Sequence, residues 1–490
     1  VKTSATSIDS YATATECAAA LAARTVSSLE LVEHAIDRIE ARDGALNAVV
    51  VRDFERAREA ARAADAALAR GESAPLLGVP MTVKESFSVA GLQTTWGMPA
   101  FAGQRPERDA LAISRLKGAG AVVLGKTNVP LALADWQSYN DVYGTTNNPW
   151  DVGRTPGGSS GGGAASLAAG FVPLEIGSDI GGSLRVPAHF CGIYAHKPSF
   201  ALLPMRGHSL PGTDGAPPDL SVIGPMARSA ADLALAIDIL AGPDEAMGVA
   251  YRLELPRARH EALRDYRVLV VDSLPQIPTD SDVRGAIDGL AGALAAAGVA
   301  VSRSSALLPD FEPMSRVYTR MLQSALSLRM PLEVLDRMAA AAAELSPDDD
   351  SLNANRLRSA RLGHREWLAD NDERARIGRR WAALFREFDV VLAPISPTPA
   401  FPHDHSNPQE ARRLSIDGVP HGYLDQVVYA GIATLTGLPA TAAPLGRSKS
   451  GLPVGVQIVG PFLEDRTPLA FAAHLEREFG GFTPPPGFSP

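Results

Sequence analysis

The chain has 490 residues, 46% of them hydrophobic and 21% charged, a globular composition with room for one large domain or two to three ordinary ones. A net charge of -9 argues against a nucleic-acid-binding surface, and no apolar run approaches the roughly 20 residues that a membrane span needs. Two cysteines far apart, Cys17 and Cys191, make neither a disulfide framework nor a zinc site by spacing.

In chain order, "VKTSATSIDSYATATEC" has no apolar signal core, so the default location is cytoplasmic. Residues 14 to 50 carry apolar side chains at helical spacing, as two helices broken near Thr25 to Ser28, with Ser27 or Ser28 able to cap the second. A third helix, "RDFERAREAARAADAALARG", is ended by Gly71. "LLGVPMTVKESF" reads as a short buried strand, and "DALAISRLKGAG" followed by "AVVLGKTN" as helix, turn and buried strand. "YRVLVVDSL" opens a strand–helix–strand unit; "FDVVLAPIS" and "LPVGVQIVG" are further core strands. This alternation predicts an α/β fold, a large twisted mixed, mostly parallel sheet covered by helices on both faces. No linker splits the chain, so 1–490 reads as a single domain. Its catalytic core covers about 65–240, a helical insertion about 305–385, and a C-terminal return to the sheet about 386–475, before a Pro-rich tail.

Six lysines stand against forty arginines. Arginine does not deprotonate in a protein, whereas a desolvated lysine can become a neutral base, so a lysine in an apolar setting needs a reason. Three motifs mislead. "GAVVLGKT" fits the phosphate-loop pattern, but its central Ala-Val-Val-Leu is a strand-forming run rather than an anion-wrapping loop. "GGSSG" fits a nucleophile elbow, but the turn-rich "NNPWDVGRTP" before it is not a strand. His403 and His405 in "FPHDH" lack a third ligand at defined spacing, and with His208 they read as loop residues.

A fourth grouping is chemically complete. Breaking an amide needs a nucleophile, a base, a path returning the proton to the leaving nitrogen, and donors for the oxyanion. "DIGGS" offers Ser183 behind two glycines that let successive backbone N–H groups converge. Lys84, in apolar "GVPMTVKESF", is the candidate base, and Ser159 in "GGSSGG" can carry a proton between them. Taken singly, the three also fit a salt-bridge partner, a turn residue and a helix cap.

These segments, together with "GSDIGGSLRVPAHFCGIYAHKP", "GAGAVVLGKTN", "NNPWD", "GPMARSAADLALAIDIL" and "TGLPATAAPLG", resemble the amidase signature family over nearly the whole chain. The resemblance implies Ser183 as nucleophile, Ser159 as a bridging serine after a cis peptide bond from Gly158, and Lys84 as base. It implies an oxyanion hole from the N–H groups of Ile180, Gly181, Gly182 and Ser183, with Ser160, Asp179 and Arg185 in support. No metal and no cofactor is required.

The family's substrates are amides, with esters and carbamates in some members, and Leu131 stands where many relatives carry Glu. Trp96, Met98, Leu131, Ala134, Trp136 and Tyr139 are candidate pocket residues and favour a neutral apolar or aryl acyl group over a charged one. The expectation is hydrolysis of linear amides, with no nucleic-acid or membrane partner and with oligomeric state, including a homodimer, left open. The alternatives are a catalytically inert binding protein and a glutamine-hydrolysing amidotransferase subunit.

Overall fold

Local sequence sets the helix boundaries at the N-terminal end. Thr13 and Ser27 each cap a helix, Ala14–Ala22 and Ser28–Arg42, and each closes a capping box with the glutamate three residues on, Glu16 or Glu30. The second helix buries Leu31, Val32, Ala35, Ile36 and Ile39, the stripe its spacing predicts. In this computed structural model the described residues are 9–213, 215–328 and 330–488. The first eight residues of the N-terminal stretch and the last two of the tail therefore lie outside them.

The strands gather into one eleven-stranded sheet. Across it run Val49–Arg52, Val122–Thr127, Pro80–Lys84, Leu174–Asp179, Val222–Ala227, Tyr194–Lys197, Ala440–Arg447, Pro453–Val459, Val390–Pro394, Arg267–Val270 and Ala300–Ser302. The sheet is mixed, with parallel pairing in two blocks. One joins Val122–Thr127, Pro80–Lys84 and Leu174–Asp179; the other joins Val390–Pro394, Arg267–Val270 and Ala300–Ser302. Strand–helix alternation marks both blocks. The middle is antiparallel, from Leu174–Asp179 through Val222–Ala227, Tyr194–Lys197, Ala440–Arg447 and Pro453–Val459 to Val390–Pro394, and the pairing of Tyr194–Lys197 with Ala440–Arg447 joins segments far apart in sequence.

Alternation along a strand sorts side chains between the two faces. Met81 and Val83 join a core with the helices Leu111–Gly118, Ala230–Leu240 and Arg466–Phe479, which leaves Thr82 and Lys84 to the other face. There Gly161–Ala168 and Arg185–Cys191 pack with Val122 and Leu124, flanked by a third apolar cluster around Tyr318, Trp381 and Tyr429. The helices of the 305–385 region are Phe311–Ser327, Leu332–Ala343, Leu352–Arg358 and His364–Glu387. The tail is docked: Phe488 is buried, and its carbonyl accepts from the Tyr11 hydroxyl and the Arg38 guanidinium.

Candidate active site

Lys84 ends its strand, and Thr127 and the segment after Ile176 flank it on the neighbouring strands. It has no exposed surface. Its Nζ lies 2.8 Å from Ser159 Oγ, 2.9 Å from Ser178 Oγ and 3.5 Å from the Ser178 carbonyl. Burial drives this amine down to about 7, against the opposing pull of the Asp179 and Glu175 carboxylates.

Ser159 follows a cis peptide bond from Gly158 and leads into the helix Gly161–Ala168. The loop has no room for side chains. A Cβ on Gly158 would strike the backbone of 135–137, and one on Gly162 the backbone of Asn128. Ser138 Oγ donates to the Gly157 carbonyl at 2.9 Å and accepts the Gly161 N–H at 3.2 Å. The glycine-rich stretch is thus a close-packed turn.

Ser160 N–H donates to the Ser183 carbonyl at 3.2 Å, setting this loop beside the turn after Asp179. Asp179 organises that turn: its carboxylate accepts from Gly182 N–H at 2.9 Å, Leu184 N–H at 3.1 Å, and Arg185 Nε and Nη2 at 3.1 and 3.0 Å. Burial would raise its carboxyl, but the Arg185 charge and these bonds hold it at about 2. Arg185 also donates to the Ala430 carbonyl, Gln457 and Thr434.

Because Gly182 N–H is given to Asp179, it is not a free donor, which corrects the expected oxyanion set. The N–H groups of Ile180, Gly181 and Ser183 make no hydrogen bond among the described residues. Two carbonyls of the turn are pinned from behind. Trp136 Nε1 donates to Gly181 O at 2.7 Å, and Tyr318 OH donates to Ile180 O at 3.0 Å.

No motif singles out Tyr318, Ser178, Glu175 or the Asp135–Arg412 pair. Glu175 is fully buried beside Thr82 and Thr127, whose hydroxyls donate to it, and burial raises its carboxyl to about 8. Asp135 accepts from Arg412 Nη1 at 2.6 Å, Tyr423 OH at 2.5 Å and Gln409 Nε2 at 3.0 Å. This buried cluster ties residues 404–423 to the segment packed on Gly158. Each group is found by topology alone, since the partners lie 48 to 288 residues apart.

The pocket candidates fare unevenly. Trp96 has no exposed surface and is removed from an open cleft: its indole donates to the Ser86 carbonyl and its backbone N–H to Glu85. Trp136 is buried behind Gly181, and Tyr139 stacks on His405 and accepts from Arg412. Met98 is half-buried, whereas Leu131 and Ala134 are exposed.

In the misleading motifs, Val122–Thr127 is a strand whose Lys126 donates to Gln93 O and Thr94 Oγ1. His403 bonds Asn147, and no three His, Cys, Asp or Glu side chains cluster for a metal among the described residues. Both cysteines are buried and unpaired, and no described helix is long and apolar enough to cross a membrane.

A buried amine, two neighbouring serines and a turn with unpaired N–H groups can carry acyl transfer. Comparisons with known proteins agree. A family profile described as Amidase matches residues 30–469. A glutamyl-tRNA(Gln) amidotransferase subunit from Anaeromyxobacter sp. (strain K) is 33% identical over 502 residues, 96% of this chain and 97% of its own. Among solved structures, a bacterial aryl acylamidase of the amidase signature family is 26% identical with a TM-score of 0.79, covering 95% of this chain and 96% of that one. An inhibitor-bound complex bearing on the origins of an s-triazine catabolic enzyme is 29% identical with a TM-score of 0.79, covering 95% and 98%.

Proposed function

This chain belongs to the amidase signature family, and from that premise we propose that it hydrolyses the C–N bond of small neutral amides through an acyl-enzyme on Ser183. The observation that carries the reading is Lys84: a fully buried amine, kept near neutrality by desolvation, 2.8 Å from Ser159 Oγ. A general base is most effective when its pKa lies near the working pH.

Neutral Lys84 takes the Ser159 proton while Ser159 takes the Ser183 proton, and Ser183 Oγ bonds to the acyl carbon. The oxyanion forms against the N–H groups of Ile180, Gly181 and Ser183. As the intermediate collapses, Ser159 gives its proton to the departing nitrogen and recovers one from the Lys84 ammonium. The C–N bond breaks and the amine leaves neutral. Water then attacks the acyl-enzyme by the same relay, releasing the acid and restoring Ser183.

The surroundings support a neutral, apolar or aryl acyl group on a linear amide. Val427, Tyr318 and Leu322 stand within 4 Å of where a Cβ on Gly181 would lie. The two guanidinium groups in the site's hydrogen-bond network, Arg185 and Arg412, are each committed to a buried aspartate. Esters and carbamates have better leaving groups and would follow the same path. The two buried, unpaired cysteines support a cytoplasmic location.

The similarity to an amidotransferase subunit favours one second reading, a glutaminase working with partner subunits. Ammonia release from glutamine, with and without cell extract, separates the two. The main reading is tested by labelling with a serine-directed phosphonate and by a panel of anilides, esters and carbamates. Stoichiometric labelling should disappear in Ser183→Ala; labelling that persists removes Ser183 from its role.

A further inference from the structure

A lysine ammonium carries three N–H groups, whereas the neutral amine carries two and one lone pair. As base, Lys84 must aim that lone pair at the Ser159 hydroxyl. Three oxygen atoms surround its Nζ: Ser159 Oγ at 2.8 Å, Ser178 Oγ at 2.9 Å and the Ser178 carbonyl at 3.5 Å. Two of them belong to one residue. Ser178 is buried, and its side chain has no other hydrogen-bond partner among the described residues.

Resting on the reading of Lys84 as base, we propose that Ser178 is the positioning residue that aims the Lys84 lone pair. Its hydroxyl and carbonyl oxygens take the two N–H groups of the neutral amine, which leaves the lone pair to Ser159. Without the Ser178 hydroxyl one N–H has no acceptor, and the amine can turn a hydrogen toward Ser159. The opposite arrangement, with the Ser178 hydroxyl donating into the lone pair, would compete with Ser159 and slow the relay.

Lys84 also feels charged groups from the elements around it. Asp179, paired with Arg185, and Glu175 act from the neighbouring strand and favour the ammonium. On the other flanking strand Lys126 is turned to Gln93 and Thr94, and the helix Gly161–Ala168 carries no ionisable side chain. None of these groups changes in a Ser178 variant.

The test compares kcat, KM and the acid limb of the pH–rate profile in wild type, Ser178→Ala and Ser178→Thr. An oxygen acceptor holds an ammonium more strongly than an amine, so removing it favours the neutral form. Ser178→Ala should lower plateau kcat about tenfold with KM little changed, and move the acid limb down by roughly half to one pH unit. Ser178→Thr, which keeps the hydroxyl, should restore both. A structural defect alone would cut activity without moving the limb. If the alanine chain does not fold, Ser178→Cys, of similar shape and with a poor acceptor, carries the comparison and should shift the same way. The proposal is overturned if wild type has an acid limb and the hydroxyl-free variant keeps that limb in place, whatever its plateau, or turns over faster. A wild type with no acid limb overturns instead the reading of Lys84 as base, and the proposal with it.

Discussion

Replacing Asp179 by Asn tests whether the Ser183 turn is held by charge. The substitution keeps the shape of the side chain but removes the partner of Arg185, which is 1% exposed against a carboxylate with no exposure. Breaking a buried ion pair by removing one member typically costs about 3–5 kcal/mol, because the other charge stays buried. Arg185 would keep the Ala430 carbonyl, Gln457 and Thr434 as acceptors, which argues for the lower end, about 3 kcal/mol. The pKa gives a concordant figure: a carboxyl held at about 2 instead of 3.8 is worth roughly 2 kcal/mol. That group's folded pKa is depressed, so its contribution is present above pH 3.8 and fades as pH falls toward 2. Urea unfolding at pH 7 should therefore place Asp179→Asn about 3 kcal/mol below wild type. Between pH 4 and 2 the gap should narrow. A loss under about 1 kcal/mol at pH 7, or a gap that widens in acid, would refute the reasoning.

Trp136→Phe keeps an aromatic ring but removes the donor to Gly181 O; kcat should fall about tenfold with KM nearly unchanged, and an equal rise in KM would mean that the indole contacts substrate. Glu175→Gln should gain stability over wild type as pH rises. The raised folded pKa of Glu175 means that wild-type stability is full below pH 4.5 and is lost up to about pH 8, so denaturation midpoints that run parallel over that range would contradict it. Arg412→Met leaves Asp135 as an unpaired buried carboxylate and should cost about 3–5 kcal/mol in urea unfolding; a midpoint within error of wild type would show the cluster to be slack.

Much of the site is legible in the sequence because its parts are local. The serines sit in short glycine-bearing turns, and Lys84 stands out in a chain that otherwise uses arginine. What the sequence hides are the parts that depend on strand order and on distant helices. Tyr318 carries no motif, yet its hydroxyl reaches Ile180 from the helical layer. Asp135 and Arg412 look like two ordinary charged residues until the fold buries them together. The family resemblance implies Gly182 among the oxyanion donors; only the turn geometry shows Asp179 taking its N–H. The aromatic residues near Lys84 suggest a pocket wall, but Trp96 is turned inward onto Ser86 and Glu85. The antiparallel centre of the sheet escapes the strand–helix alternation, since it is joined where Tyr194–Lys197 meets Ala440–Arg447, a pairing between distant parts of the chain.

The relay requires Lys84 to be a neutral amine at the working pH. With six lysines in the chain, ε-carbon-labelled lysine gives few enough NMR signals to follow each through a pH titration. Lys84→Met identifies the signal, which matters because Lys197 and Lys126 are also buried and pushed down to about 7 and about 8. The Lys84 signal should titrate near 7. A midpoint close to the ordinary 10.5 would contradict it.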